Sequence, residues 1–134
     1  MLMNELQLQV EALKDKFQQS YYKSIDVDEG WYQIIIDCDK ELSSIDPGYS
    51  ILQIKQKFGG LRYYFSSESD ALDAMQEVVT KYECIAATTC EATGGRGVLM
   101  RSKSGWLKTL NIEWASSSLF HRDYTIVQLT KKEE

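Results

Sequence analysis

Few residues in this chain carry reactive chemistry, and their spacing decides what they can do. There are three cysteines, Cys38, Cys84 and Cys90, and a single histidine, His121, within 134 residues. Residues 90–95 read CEATGG. A zinc knuckle would be written C-x-x-C-G, so Cys90 occupies a first ligand position and Thr93 stands where the second cysteine belongs. An odd number of cysteines fits no disulfide framework, and in a reducing compartment each is expected to be a free, buried thiol. His121 could form a dyad with Asp123, Cys84 or Cys90, but no local spacing selects one of them. Gly94-Gly95-Arg96-Gly97 lacks the G-x-x-x-x-G-K-[ST] pattern of a phosphate loop. Asp37 and Asp39 bracket Cys38. On a helix, however, residues i and i+2 point about 200° apart, which opposes a shared cation. No catalytic set and no cofactor are expected.

Charge is the second source of chemistry. The formal net charge is −5, from 15 Lys and Arg against 20 Asp and Glu. Residues 26–46 hold Asp26, Asp28, Glu29, Asp37, Asp39, Glu41 and Asp46 against Lys40 alone. Two other stretches are purely basic. Lys55, Lys57 and Arg62 lie between Pro47 and Ser67, and Arg96, Arg101, Lys103 and Lys108 lie between Ala92 and Ile112. A chain divided this way can steer a charged partner.

These groups must be positioned by a single domain spanning 1–134, a length that can bury one sizeable core. Residues 2–22 carry Leu2, Leu6, Val10, Leu13 and Phe17 at helical spacing. Residues 29–45 repeat Trp31, Ile34, Ile35, Cys38, Leu42 and Ile45 in the same way. Asp28 is the expected N-cap, and Asp46-Pro47-Gly48 the stop. Residues 50–66 change to near-alternation around Gly59-Gly60, the pattern of a hairpin whose surface would carry Lys55, Lys57 and Arg62. Ser67 with Asp70 resembles a capping box for a helix running to about Ala87, with Leu72, Met75, Val79 and Ile85 on its apolar stripe. Short strands are expected at 97–101 and 105–110, a short helix within 111–120 and a last strand at 124–129. The order indicates an α+β domain with long helices packed on a small antiparallel sheet.

The segment IKQKFGGLRYYF at 54–65, Gly30-Trp31, and CEATG with GWLKTLNIEWA between Cys90 and Ala115 resemble a group of small phage and prophage proteins. That group carries K-x-K-F-G-x-L-R-F-Y followed by C-E-x-C-G and G-W-x-K-T-L-C-x-x-H-A. The resemblance covers roughly residues 28–115 and implies a zinc-ribbon-like element at 88–115. Its four ligand positions fall on Cys90, Thr93, Asn111 and Trp114. Three of these are poor zinc ligands, so the resemblance implies a metal-free element in which packing replaces the metal, with Trp114 and Cys90 close together and largely buried.

Two function classes follow. The first is a non-catalytic, acidic protein-binding module: an immunity or inhibitor protein for a partner such as a basic toxin nuclease or a host enzyme. Asp26, Asp28, Glu29, Asp37, Asp39 and Glu41 would attract that partner, with Trp31 and Tyr32 as anchors. The alternative is a phage-derived nucleic-acid-binding or anti-host-defence protein using basic segments 55–62 and 96–108, in which Lys55, Lys57, Arg62, Arg101, Lys103 and Lys108 would contact phosphates and Tyr63, Tyr64 or Trp106 would stack on bases. An acidic isoelectric point near 4.9 weighs against it, whereas contact between the two basic segments would favour it. The N-terminus lacks a signal-peptide pattern and no apolar run is long enough to span a membrane, so a cytoplasmic protein is expected.

Overall fold

The computed structural model describes residues 3–18 and 23–128. Helix α1 (Glu5–Leu13) starts at Asn4, whose side chain accepts from the Gln7 amide at 2.8 Å while the Gln7 side chain accepts from the Asn4 amide at 3.0 Å. The expected helix over 2–22 is cut short. After Leu13 the chain tightens into a 3₁₀ turn, Lys14–Lys16, and Phe17 is extended. Phe17 still reaches the core, because it lies alongside Ile51 in a parallel bridge rather than on a helical face. Leu2 and residues 19–22 lie outside the described residues.

A two-residue strand β1 (Ile25–Asp26), not anticipated from the sequence, pairs in parallel with residues 54 and 55 of the later hairpin. Helix α2 (Tyr32–Ile45) follows a 3₁₀ turn at Glu29–Trp31. Asp28 precedes that turn, but its side chain makes no capping bond. Both α1 and the later helix over Leu72–Ala86 pack on α2, and Ile34, Ile35 and Ile36 are buried in succession. A run that reads as a strand by propensity is thus helical because it is covered on several sides.

Strands β2 (Ser50–Lys57) and β3 (Gly60–Ser66) form the expected hairpin, with one shift and one irregularity. Lys57 pairs with Gly60, so the two-residue turn is Phe58-Gly59 and not Gly59-Gly60. Both turn residues have positive φ, +55° and +83°, the type I′ geometry that matches strand twist. A bulge between Ile51 and Gln53 resets the alternation, so Ile51 and Ile54, three residues apart, both face the core.

Helix α3 (Leu72–Ala86) lies where its stripe predicted and buries Met75, Val79 and Ala86. Leu72 and Ile85 end up exposed. The Ser67–Asp70 capping box does not form. Instead the Ser69 amide donates to the Ser67 hydroxyl, the Ala71 amide donates to the Ser69 hydroxyl, and Ser67 donates to the Asp46 carboxylate.

The remaining elements build a second, smaller sheet in the order β5-β4-β6, from β4 (Val98–Arg101), β5 (Leu107–Leu110) and β6 (Thr125–Ile126). Helix α4 (Ile112–Ser117) sits between β5 and β6 in sequence and is shorter than the expected 111–120. Leu129, the end of the expected last strand, lies outside the described residues. Cys90, Met100, Leu110 and Ala115 form a separate small core beneath this sheet. The chain is therefore α+β, with helices packed on small sheets. Among the described residues no helix is long and apolar enough to cross a membrane.

Candidate partner-binding surface

The acidic segment is largely consumed by the fold. Trp31 is 0% exposed and its indole N–H donates to the Thr89 carbonyl at 2.8 Å, so it anchors the two cores to each other and is closed to a partner. Asp39 is also buried, because Lys16 folds back onto its two oxygens at 2.8 and 3.0 Å and the Tyr49 hydroxyl donates to it at 2.6 Å. Tyr49 shares a further 2.6 Å hydrogen bond with Tyr63. Burial, with Tyr63 and Asp39 adding to it, raises the Tyr49 phenol well above its usual range. Glu41 accepts from Lys81 and Tyr82, which holds its carboxyl below the ordinary value. Asp37 accepts from the Gln33 amide. Tyr32 is half-buried against the core, and its phenol is raised by burial first and by Glu29 and Asp28 next. Asp26, Asp28 and Glu29 remain exposed. Even these are engaged, Asp26 by Ser24, Asp28 by Lys108 at 3.3 Å and Glu29 by Gln7.

The basic residues are placed differently. Cross-strand register sets Lys55 opposite Arg62 and Gln53 opposite Tyr64, on the face of the hairpin that points away from Ile54, Leu61 and Tyr63. At the hairpin tip the Gly59 carbonyl accepts from the Thr109 hydroxyl at 2.8 Å. A Cβ at Gly59 would lie 2.5 Å from the Leu99 side chain. The tip therefore rests on the second sheet, and the two basic segments meet there. Arg101 and Lys103 are exposed on the second segment. Lys108 turns away from them, half-buried between Asp28 and Glu91. Burial opposes its charge, but Glu91 and Asp28 outweigh that and raise its pKa. Two aromatics flank this junction with little cover, Phe58 at 70% exposure and Trp106 at 72%.

The four positions implied by the resemblance have other employment. Cys90 is fully buried, with its amide donating to the Gly95 carbonyl and its carbonyl accepting from the Gly94 amide. Thr93 is exposed, and its hydroxyl accepts from the Gly95 amide. Asn111 caps α4 by accepting from the Trp114 amide at 2.9 Å, and its own amide donates to the Arg96 carbonyl at 3.0 Å. Trp114 packs on the core that contains Cys90, as expected, but is half-buried rather than largely buried, with the His121 ring 5.0 Å from its own. His121 pairs with the Ser118 hydroxyl, while Asp123 accepts from the Lys103 amide, so the Asp123 dyad is not assembled. Burial first, then Lys108, holds the imidazole below its usual value. Cys84 is exposed on α3. Among the described residues no three His, Cys, Asp or Glu side chains gather as a metal-binding group.

Two residues escaped the sequence reading. Glu91 is 2% exposed and joins the two cores. Its Oε2 accepts from the Asp28 amide at 3.0 Å, its carbonyl accepts from the Gly30 amide at 2.7 Å, and its amide donates to the Thr109 carbonyl. Its Oε1 has no partner, and burial raises its carboxyl pKa despite the Asp28 amide and Lys108. The available signal was Gly30, where a Cβ would come within 2.3 Å of the Cys90 carbonyl. Phe58 was hidden by the neighbouring Gly-Gly, which drew the turn one residue too far along. No protein family, characterised protein or solved structure matches the chain in comparison.

Proposed function

We propose that the chain is a non-catalytic binding module that docks a partner protein at the pole where the hairpin tip meets the second sheet. The observation that carries this is Phe58, a bulky aromatic held at φ +55° and 70% exposed. Left-handed backbone costs a residue with a side chain roughly 1–2 kcal/mol, and Asn or Gly would avoid most of it. A ring kept in water on strained backbone contributes little to folding, and such outliers gather at binding sites. Desolvation by a partner is where its area would be useful, with Trp106 as a second anchor.

The reading is of an immunity or inhibitor protein whose target is a toxin or a host enzyme. Lys57 lies over the Phe58 ring at 5.6 Å, and Arg101 pairs with Leu107, the residue after Trp106, so the surface the aromatics meet is neutral or acidic. This replaces the basic contact surface suggested by net charge alone. Affinity capture with the tagged chain, identification of the retained protein, and titration of that purified protein test the proposal. Phe58→Ser and Trp106→Ser should each weaken binding by about 30-fold, the loss expected of a central aromatic. A partner held equally tightly by both variants would remove this pole as the docking surface.

Residues 88–115 are, on this reading, a zinc-ribbon-like element of the phage group that keeps its shape without metal. Asn111 supports it, because its two hydrogen bonds tie the start of α4 to the glycine-rich loop across the element. Zinc content well below one per chain is expected in protein purified without chelator, and one equivalent would overturn the metal-free account.

A further inference from the structure

We propose that the outward face of the first sheet, built from Gln53, Lys55, Lys57, Arg62 and Tyr64, binds single-stranded nucleic acid. This goes beyond docking at the hairpin tip and rests mainly on other residues, Lys57 alone being shared. Lys55 and Arg62 sit directly opposite one another across the strands. Facing like charges weaken a sheet, so the fold alone gives no reason for the pair. Among the described residues, Lys14, Lys16, Lys81 and Lys108 each hold a carboxylate, whereas Lys55, Lys57 and Arg62 hold none. Two acids approach the face. Asp26 is beside Lys55 in the parallel register but is occupied by Ser24, and Glu83 at the β3 edge accepts from the Tyr63 amide. Three cations without a carboxylate partner are thus gathered on one face of the first sheet.

Tyr64 decides between polyanions. It is 42% exposed and opposite Gln53, so a flat π surface and a side-chain amide adjoin the three charges. Cations lined up beside an exposed ring suit a strand with unstacked bases, which pairs each phosphate with a cation and lays a base on the ring. A duplex offers phosphates but no free base faces, and a run of Asp or Glu offers carboxylates but no ring to lay on Tyr64. The acidic remainder of the molecule repels a polyanion beyond this face, so a short site is expected.

Fluorescence anisotropy with oligo(dT) of about 15 nucleotides, a length that covers one small binding face, tests the proposal. Three phosphate contacts give a log–log salt slope of about −2, or roughly a 16-fold loss between about 50 and 200 mM salt. Lys55→Ala/Arg62→Ala should cut affinity at least about tenfold and flatten the slope to about −0.7. Tyr64→Leu should weaken binding by about fivefold or more with the slope unchanged, because stacking carries no counterions. These positions are on the surface, and circular dichroism confirms that the variants fold. Absence of binding at about 100 µM protein in low salt, the weak end of non-specific affinity, overturns the proposal. So does binding that the double variant leaves intact. Polyglutamate displacing the labelled strand as well as unlabelled oligo(dT) does would overturn it in favour of an acidic protein.

Discussion

Asn111 makes two bonds from one side chain, and each atom can be removed separately. Its Oδ1 caps α4 and its Nδ2 crosses to the Arg96 carbonyl. Asn111→Ala removes both and should cost about 2 kcal/mol in denaturant unfolding, the upper range for a lost cap. Asn111→Asp keeps the cap and loses the cross-link, so it should fall between Ala and the parent. Equal losses for the two variants would mean that the cap contributes nothing, and an Asp variant as stable as the parent would mean that the cross-link contributes nothing. Gly30 is a second sharp case. Any Cβ there meets the Cys90 and Glu91 carbonyls at 2.3 and 2.4 Å, and backbone atoms cannot step aside. Gly30→Ala should therefore destabilise by about 3 kcal/mol, the cost of overpacking a fixed site. Residue types alone told part of this story. A tryptophan and an aspartate eight residues apart in an acidic run read equally well as surface or core. Only the positions of Thr89 and Lys16, far away in sequence, decide that Trp31 and Asp39 are internal.

Elements were more legible than residues, because periodicity is local and partners are not. The stripes of α2 and α3 and the alternation of the hairpin are written in spacing, and all three formed. What spacing could not supply was phase. The bulge at Leu52 places Ile51 and Ile54 on one face, and the shift to Phe58-Gly59 decides which residue takes the strained turn position. The same loss of phase explains α1, whose stripe continues to Phe17 although the helix stops at Leu13. The hairpin yields its own prediction. Phe58→Asn should raise stability by about 1 kcal/mol, since Asn tolerates left-handed φ and a solvent-facing ring loses little by leaving. The same substitution should weaken docking of the captured partner by about 30-fold, as Phe58→Ser does. A variant that is more stable and fully competent to bind would show that Phe58 was retained for neither purpose.

At the scale of the molecule, two cores share one short seam. Loop residues make most of its bonds: Asp28 and Gly30 to Glu91, Trp31 to Thr89, and Gly59 to Thr109. No sequence pattern announces a seam like this, because its members are 50 to 63 residues apart. Glu91 is its one buried carboxyl, with Oε1 lacking a donor and Asp28, Lys108 and, more distantly, Tyr124 as charged or titratable neighbours. Burial raises its pKa above the ordinary 4.5, so the folded chain holds this proton more tightly than the unfolded chain does. Stability drawn from the group is then complete below about pH 4.5 and declines as pH rises through the folded value. Glu41 works in the opposite sense, since Lys81 and Tyr82 lower its pKa and its contribution is lost on acidification. A bare pH profile of melting therefore mixes the two, and the comparison that isolates Glu91 is with Glu91→Gln. Glutamine keeps an acceptor for the Asp28 amide and carries no charge to bury, while Asp28 still pairs with Lys108. The variant should melt higher than the parent at pH 7, by about 4 °C for each kcal/mol recovered, with the gap closing toward pH 4.5. A gap independent of pH would mean that folding does not raise the Glu91 pKa, and a parent that is the more stable at pH 7 would mean that Glu91 is held ionised across the seam by an attraction to Lys108 that exceeds the cost of burying it.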